Sequence, residues 1–159
     1  MGSIDRRDAG LAVAFGDGQH LSVDAAESGD SLAEYVGRDV IVGVRPEHLE
    51  DVALLPDTPA DRRLKGLVQL RELLGSEVVV HFQVEAAPVV ADEVVEIAQD
   101  VDAAAVDELD HLRQSRRTSF VARFGVDTTA RENSIAEVAV AAGALRFFDP
   151  DTGERVGLD

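Results

Sequence analysis

The chain has 159 residues, 45% of them hydrophobic and only 4% aromatic, with no cysteine and a formal net charge of −16. That length holds one ordinary core, or two small lobes sharing one. The missing cysteines exclude disulfides, thiolate catalysis and cysteine-ligated zinc, and a lone lysine, Lys65, amid this acidity leaves no basic face for nucleic acid.

Met1-Gly2-Ser3 reads as a cloning scar, so residues 4–159 are expected to form the domain. Residues 11–24 read as a hairpin: Leu11, Val13 and Phe15 alternate, Gly16-Asp17-Gly18 turns, and Leu21 and Val23 alternate again. Residues 24–30 read as a polar loop. Ser31 and Glu34 have capping-box spacing, which predicts a short helix over residues 31–36 ended by Gly37. Val40-Ile41-Val42-Gly43-Val44 is an apolar strand. Pro46 removes a ladder donor and holds Arg45 extended, so the strand stops there, flanked by Arg45 and Glu47, which can form an ion pair with each other or with neighbours.

Residues 55–63 contain Pro56, Pro59 and several charges and read as a surface loop. A strand over residues 67–74 turns at Gly75-Ser76 and returns over 78–84, with Val78, Val80, Phe82 and Val84 on one face and Val79 and His81 on the other. The period then changes. Val94, Ile97, Val101, Ala105, Leu109 and Leu112 recur every three or four positions, which predicts an acidic amphipathic insertion at about residues 91–114. Strands follow at 118–124, 135–140 and 145–148, and Asp149-Pro150-Asp151-Thr152-Gly153 makes a turn. Many short strands between glycine and proline punctuation predict a mainly β fold, a small barrel or sandwich.

Catalytic patterns are missing. The glycines never form GxxxxGK[ST], the four histidines (His20, His48, His81, His111) lack metal-ligand spacing, and no GxSxG elbow occurs. Asp149 to Gly153 lacks the acidic positions of a calcium loop. No apolar run reaches the roughly 20 residues that span a bilayer, so no direct membrane insertion is expected.

The segment VGVRPEHLED resembles the G-[IV]-R-P-E-H stretch in the C-terminal regulatory domains of sugar-import ABC ATPases. Leu73-Leu74-Gly75-Ser76-Glu77 resembles that family's LG-[SAN]-E turn, FVARF at residues 120–124 its "VAR" segment, and LRFFD with Thr152-Gly153 its "LHFFD..TG" ending. Among members, the chain is most similar to the trehalose and related disaccharide importers. Two departures stand out: Asn133-Ser134 replaces a glycine-aspartate turn, and maltose-type members lack the insertion.

The resemblance implies an OB-type (TOBE-like) β-barrel following an ATPase domain that is not in this chain. The regulatory domains would pair as a homodimer and offer a surface to a regulatory protein. ATP and magnesium would bind in the parent protein and no cofactor here. The parent would meet the importer's membrane subunits from the cytoplasmic face. By motif, Pro46 and Gly75 are implied structural positions, and Arg45, Glu47, His20 and Phe148 are interface candidates. Alternation in Phe147-Phe148 buries one ring and leaves the other half exposed. The competing expectation is a free-standing OB-type module that binds a sugar.

Overall fold

A computed structural model of the chain describes residues 1–7, 10–16, 18–89 and 116–157. The expected insertion over residues 91–114 lies outside them. The described residues form eleven strands: β1 (Gly2–Arg7), β2 (Gly10–Ala14), β3 (His20–Ser22), β4 (Asp39–Gly43), β5 (Leu49–Asp51), β6 (Arg63–Leu74), β7 (Glu77–Glu85), β8 (Arg117–Gly125), β9 (Ile135–Val140), β10 (Arg146–Phe148) and β11 (Arg155–Val156). They make a six-stranded sheet, β11-β10-β4-β1-β2-β3, and a five-stranded sheet, β5-β9-β6-β7-β8. Every strand pair within them is antiparallel. The fold is mainly β and of OB type, as expected.

Alternation explains the second sheet. Val78, Val80, Phe82 and Val84 on β7 are at most 1% exposed, and their neighbours face outward. Phe82 stacks on Phe120 of β8 with ring centroids 5.7 Å apart, and burying such a ring stabilises by about 1.5–3 kcal/mol. These residues join Ile4, Val13, Leu21, Val40 and Phe147 of the first sheet in one apolar cluster, so the two sheets share a core.

Gly2 and Ser3 begin β1 and pair with Val40, Asp39 and Ala14. Several expectations change. The helix comes earlier than residues 31–36. It is α1 (Ala25–Leu32), followed by a single 3-10 turn (Ala33–Tyr35). Asp24, not Ser31, is its N-cap, and the Asp24 N–H donates to Glu27 Oε2 at 2.7 Å. The Ser31 hydroxyl is engaged elsewhere, accepting the Gly157 N–H at 3.0 Å. Residues 24–30 are therefore mostly helical, with a kink where Gly29 takes φ 46°. The loop over residues 55–63 is not wholly superficial either, because Arg62 is buried.

Two turns carry the left-handed backbone that their residue types suggest. Gly75 between β6 and β7 has φ 65°, and Asn133 has φ 59°, the one non-glycine with positive φ among the described residues. Asparagine is one of the few residues besides glycine that takes up this backbone readily, which is how Asn133 makes its turn.

Candidate functional site

The RPEH segment is the place where the chain changes sheets. β4 belongs to the six-stranded sheet and β5 to the five-stranded one, and Pro46–His48 forms a 3-10 turn between them with the proline at its start. Arg45 and Glu47 do approach each other, at 4.0 Å, but both side chains are largely exposed. An exposed pair of this kind contributes little. The structural contribution comes from the next two acids, which the sequence reading passed over. The Glu50 carboxylate accepts the Gly125 N–H at 3.0 Å. The Asp51 carboxylate accepts the Thr128 hydroxyl at 2.5 Å and the amides of Thr129 and Ala53. The two acids clamp the loop between β8 and β9.

The chain crosses back between β9 and β10, beside the first crossing, where the Ala141 N–H donates to the His48 carbonyl at 2.9 Å. Arg62 sits under both crossings with its side chain 7% exposed. Its guanidinium forks onto Glu27 at 3.2 and 3.3 Å and also donates to the carbonyls of Ser22, Val140 and Ala141. Glu27, fully buried, accepts the Leu145 N–H at 2.9 Å, and Asp24 accepts the Gly143 N–H at 3.0 Å. The network is fully satisfied: no buried side-chain polar atom among the described residues lacks a partner. It joins α1 and β3 to the ends of β9 and β10.

Phe147 is fully buried and Phe148 half-buried, as the alternation requires. Phe148 stands opposite Ile41 on β4 and Arg155 on β11, with Arg146 opposite Gly43. A Cβ at Gly43 would lie 3.3 Å from Phe148 Cε2, so the ring rests beside an open backbone patch. The Asp149 carboxylate closes the following turn by accepting the amides of Asp151 and Thr152, and Tyr35 donates its hydroxyl to it at 2.5 Å. Chiefly that Tyr35 bond, then the two amides, holds the Asp149 carboxyl below its ordinary pKa. The same bond pushes the Tyr35 phenol up. The FFD..TG ending is thus a side-chain-closed turn. His20 is far from this: β3 is separated from β10 by β4, β1 and β2. Of the interface candidates, only Phe148 and the Arg45–Glu47 pair belong to the β4–β10 end of the sheet.

A second surface went unpredicted. On the outer face of the five-stranded sheet, Leu70, His81 and Val121 form one cross-strand row and Glu72, Val79 and Arg123 the next. Ile135, paired with Leu67, is 65% exposed, Leu70 43% and Val121 37%. The charges around these residues are matched. Arg123 bonds Glu77, Glu137 is met by Lys65 at 3.1 Å and by Arg63 at 3.5 Å, and the His81 ring lies 3.6 Å from Glu72. The Lys65 contact, aided by Arg63 and opposed by partial burial, keeps the Glu137 carboxyl below its ordinary pKa. The sequence placed Val79 and His81 on the outer face, but showed neither which residues stand beside them nor which charges pair off across strands.

Among the described residues, no group of three or more acids and histidines is placed to hold a metal, and no helix is long and apolar enough to cross a membrane.

Residues 2–49 match the MalK OB fold domain and residues 42–115 the TOBE domain. The overlap covers the end of β4 and the RPEH crossing, where the chain passes between sheets. The trehalose import ATP-binding protein SugC of Mycobacterium tuberculosis is 30% identical over 94% of this chain and 35% of its own length. The trehalose/maltose import ATP-binding protein MalK of Thermococcus litoralis is 43% identical over 77% of this chain and 25% of its own. The maltose/maltodextrin import ATP-binding protein MalK of Photorhabdus laumondii is 47% identical over 36% of this chain and 14% of its own. The chain spans about a third of the SugC length.

Proposed function

Because the chain belongs to the OB-fold and TOBE domains found in sugar-import ATP-binding proteins, we propose that it is the regulatory and pairing domain of such a subunit. The cargo proposed is trehalose or a related disaccharide, supported by the likeness to SugC along nearly the whole chain. ATP and magnesium would be held by an ATPase domain of the parent subunit, a reading supported by the ATP-binding proteins that the chain resembles, and no step of hydrolysis is derived through this chain. The parent subunit would work at the cytoplasmic membrane face, docked on the importer's membrane subunits.

The observation that carries the pairing role is the outer face of the five-stranded sheet. A chain of net charge −16 repels its own copy, so a self-contact must be locally neutral. This face is both apolar and internally charge-matched: Leu70, Val121 and Ile135 are exposed among the Arg123–Glu77 and Lys65–Glu137 pairs. Pairing there would hold two ATPase domains at an effective concentration of order millimolar, so each cycle avoids a fresh bimolecular encounter. A regulator that favours one arrangement of the pair shifts the cycle by its differential affinity, typically about 1–3 kcal/mol. Phe148 is the proposed central contact for such a partner, with Arg45, Glu47 and His20 as peripheral ones.

Sedimentation equilibrium tests the pairing. The V121E/I135E double variant should weaken self-association by more than about tenfold, as expected when carboxylates enter a desolvated contact. Unchanged association in a folded double variant would refute the assignment of this face.

A further inference from the structure

Between β6 and the loop that joins β8 to β9 lies a cavity of about 570 Å³, lined by Arg71, Thr128, Thr129, Ala130, Arg131 and Glu132. Small-molecule sites have volumes of roughly 300–1,000 Å³. Hydrogen bonds fix its walls. The Asp51 carboxylate accepts the Thr128 hydroxyl and the Thr129 N–H, and the Thr128 oxygen accepts the Ala130 N–H at 3.1 Å. The Asn133 N–H donates to the Val68 carbonyl at 2.9 Å. The Glu132 carboxylate reaches back to β6 and accepts the Arg71 N–H at 3.0 Å through one oxygen, Oε1. A loop already held in this way loses little freedom on binding.

An arginine without an acid partner is not in itself informative. Arg6, Arg7, Arg146 and Arg155 have none among the described residues, but all four are exposed and water solvates them. Arg71 differs. Among the described residues it is the one arginine that is neither exposed nor within ion-pair distance of a carboxylate. Drawing a guanidinium partly out of water without a counter-charge is unfavourable. Arg131 adds a second cation to the same cavity, and Thr129 adds a hydroxyl.

We infer that this cavity binds a small phosphate monoester that carries hydroxyl groups, such as a sugar phosphate. At neutral pH a phosphate monoester has a charge of about −1.5 to −2 and three acceptor oxygens, which matches two guanidiniums and a hydroxyl in charge and in donors. A carboxylate, with a single charge, leaves one cation uncompensated. Glu132 accepts a sugar hydroxyl remote from the phosphate, whereas inorganic phosphate lacks that second group and meets only the repulsion of the carboxylate. A long polyanion is disfavoured by the net charge of −16. The inference stands on this cavity and not on the pairing face or on an ATPase domain.

The test is an NMR titration of the isotope-labelled chain with glucose 6-phosphate. Glucose, inorganic phosphate and sodium sulfate serve as controls at matched ionic strength. Amide shifts should concentrate at residue 71 and residues 128–132. Glucose should produce none, and phosphate and sulfate should bind at least about tenfold more weakly, as expected for one lost hydrogen bond to a charged group. R71Q/R131Q should weaken glucose 6-phosphate binding by more than about tenfold, and its own spectrum checks that it folds. Glu132→Gln keeps an acceptor for the Arg71 amide and should let inorganic phosphate bind more tightly, narrowing its gap to the sugar phosphate. No shifts at those residues, or unchanged binding in the folded arginine variant, overturns the inference. So does equal binding of glucose 6-phosphate, phosphate and sulfate, which would mark a general anion trap, and so does a gap that Glu132→Gln leaves unchanged. Sedimentation of V121E/I135E reads the pairing face separately, so failure of either reading is distinguishable.

Discussion

The outer face of the five-stranded sheet and the cavity beside the β8–β9 loop both carry arginines and differ in how their charges close. On the face each cation named has its carboxylate within a few ångströms, as in Arg123–Glu77 and Lys65–Glu137. In the cavity, Arg71 and Arg131 have none within ion-pair distance among the described residues, and Glu132 accepts a backbone N–H instead. A face with satisfied charges and exposed aliphatics loses little on meeting its own copy. A half-buried cation gains most from a ligand that supplies the missing anion. Residue types alone would not separate the two sites; burial and the pairing of charges do.

The comparison breaks most completely if the sheets lose their relation to each other. Arg62→Ala leaves Glu27 buried without its cation, and loss of a buried pair member costs about 3–5 kcal/mol. Chemical denaturation should show that loss, and the face and the cavity should lose function together. A cost below about 1 kcal/mol would mean that Arg62 does not join the sheets as its five bonds suggest.

The two separate at the next level. V121E/I135E should abolish pairing at micromolar concentration while leaving sugar-phosphate binding intact, and R71Q/R131Q should do the reverse. If either variant disturbs both activities equally in a folded chain, the two sites are not independent.

Acid should affect the turn after β10 in a specific way. The Asp149 carboxyl, which follows Phe148, is held low by Tyr35 and two amides. A depressed carboxylate stabilises the fold fully above its unfolded value of about 3.9. That contribution declines below it and is gone once pH falls through the folded value. Melting temperature should therefore fall between about pH 5 and pH 2 more steeply in the native chain than in Asp149→Asn. Parallel curves would show that the turn closed by Asp149 does not matter for stability.

The smallest effect is expected at the motif's most conspicuous residues. Arg45→Ala or Glu47→Ala should change stability by less than about 0.5 kcal/mol, whereas Asp51→Ala, which strands the Thr128 hydroxyl, should cost about 1–3 kcal/mol.

That contrast also marks what could be read from sequence. The β7 alternation was legible because each of its residues has a neighbour on a known side, and the same parity separated Phe147 from Phe148. The helix was misplaced because Asp24-to-Glu27 and Ser31-to-Glu34 have equal spacing. The tie is decided by Arg62, some thirty-five residues away from Glu27, and by Gly157 taking the Ser31 hydroxyl. Arg62 itself lies between prolines and charges, which locally resemble any surface loop. Residue types announced the strands; the ion pairs depended on partners that only tertiary structure brings close.

The first sheet is finished by the last strands. β10 lies against β4, with Phe148 opposite Ile41, roughly a hundred residues earlier in the chain, and β11 then covers its edge. A nascent chain therefore carries β4 with one edge open throughout synthesis of the second sheet. Such non-local closure slows folding, and an uncovered strand invites pairing with another chain. A ribosome stalled before residue 146 would hold an adhesive intermediate, and the few residues from Arg146 to Val156 are what make the domain safe to release.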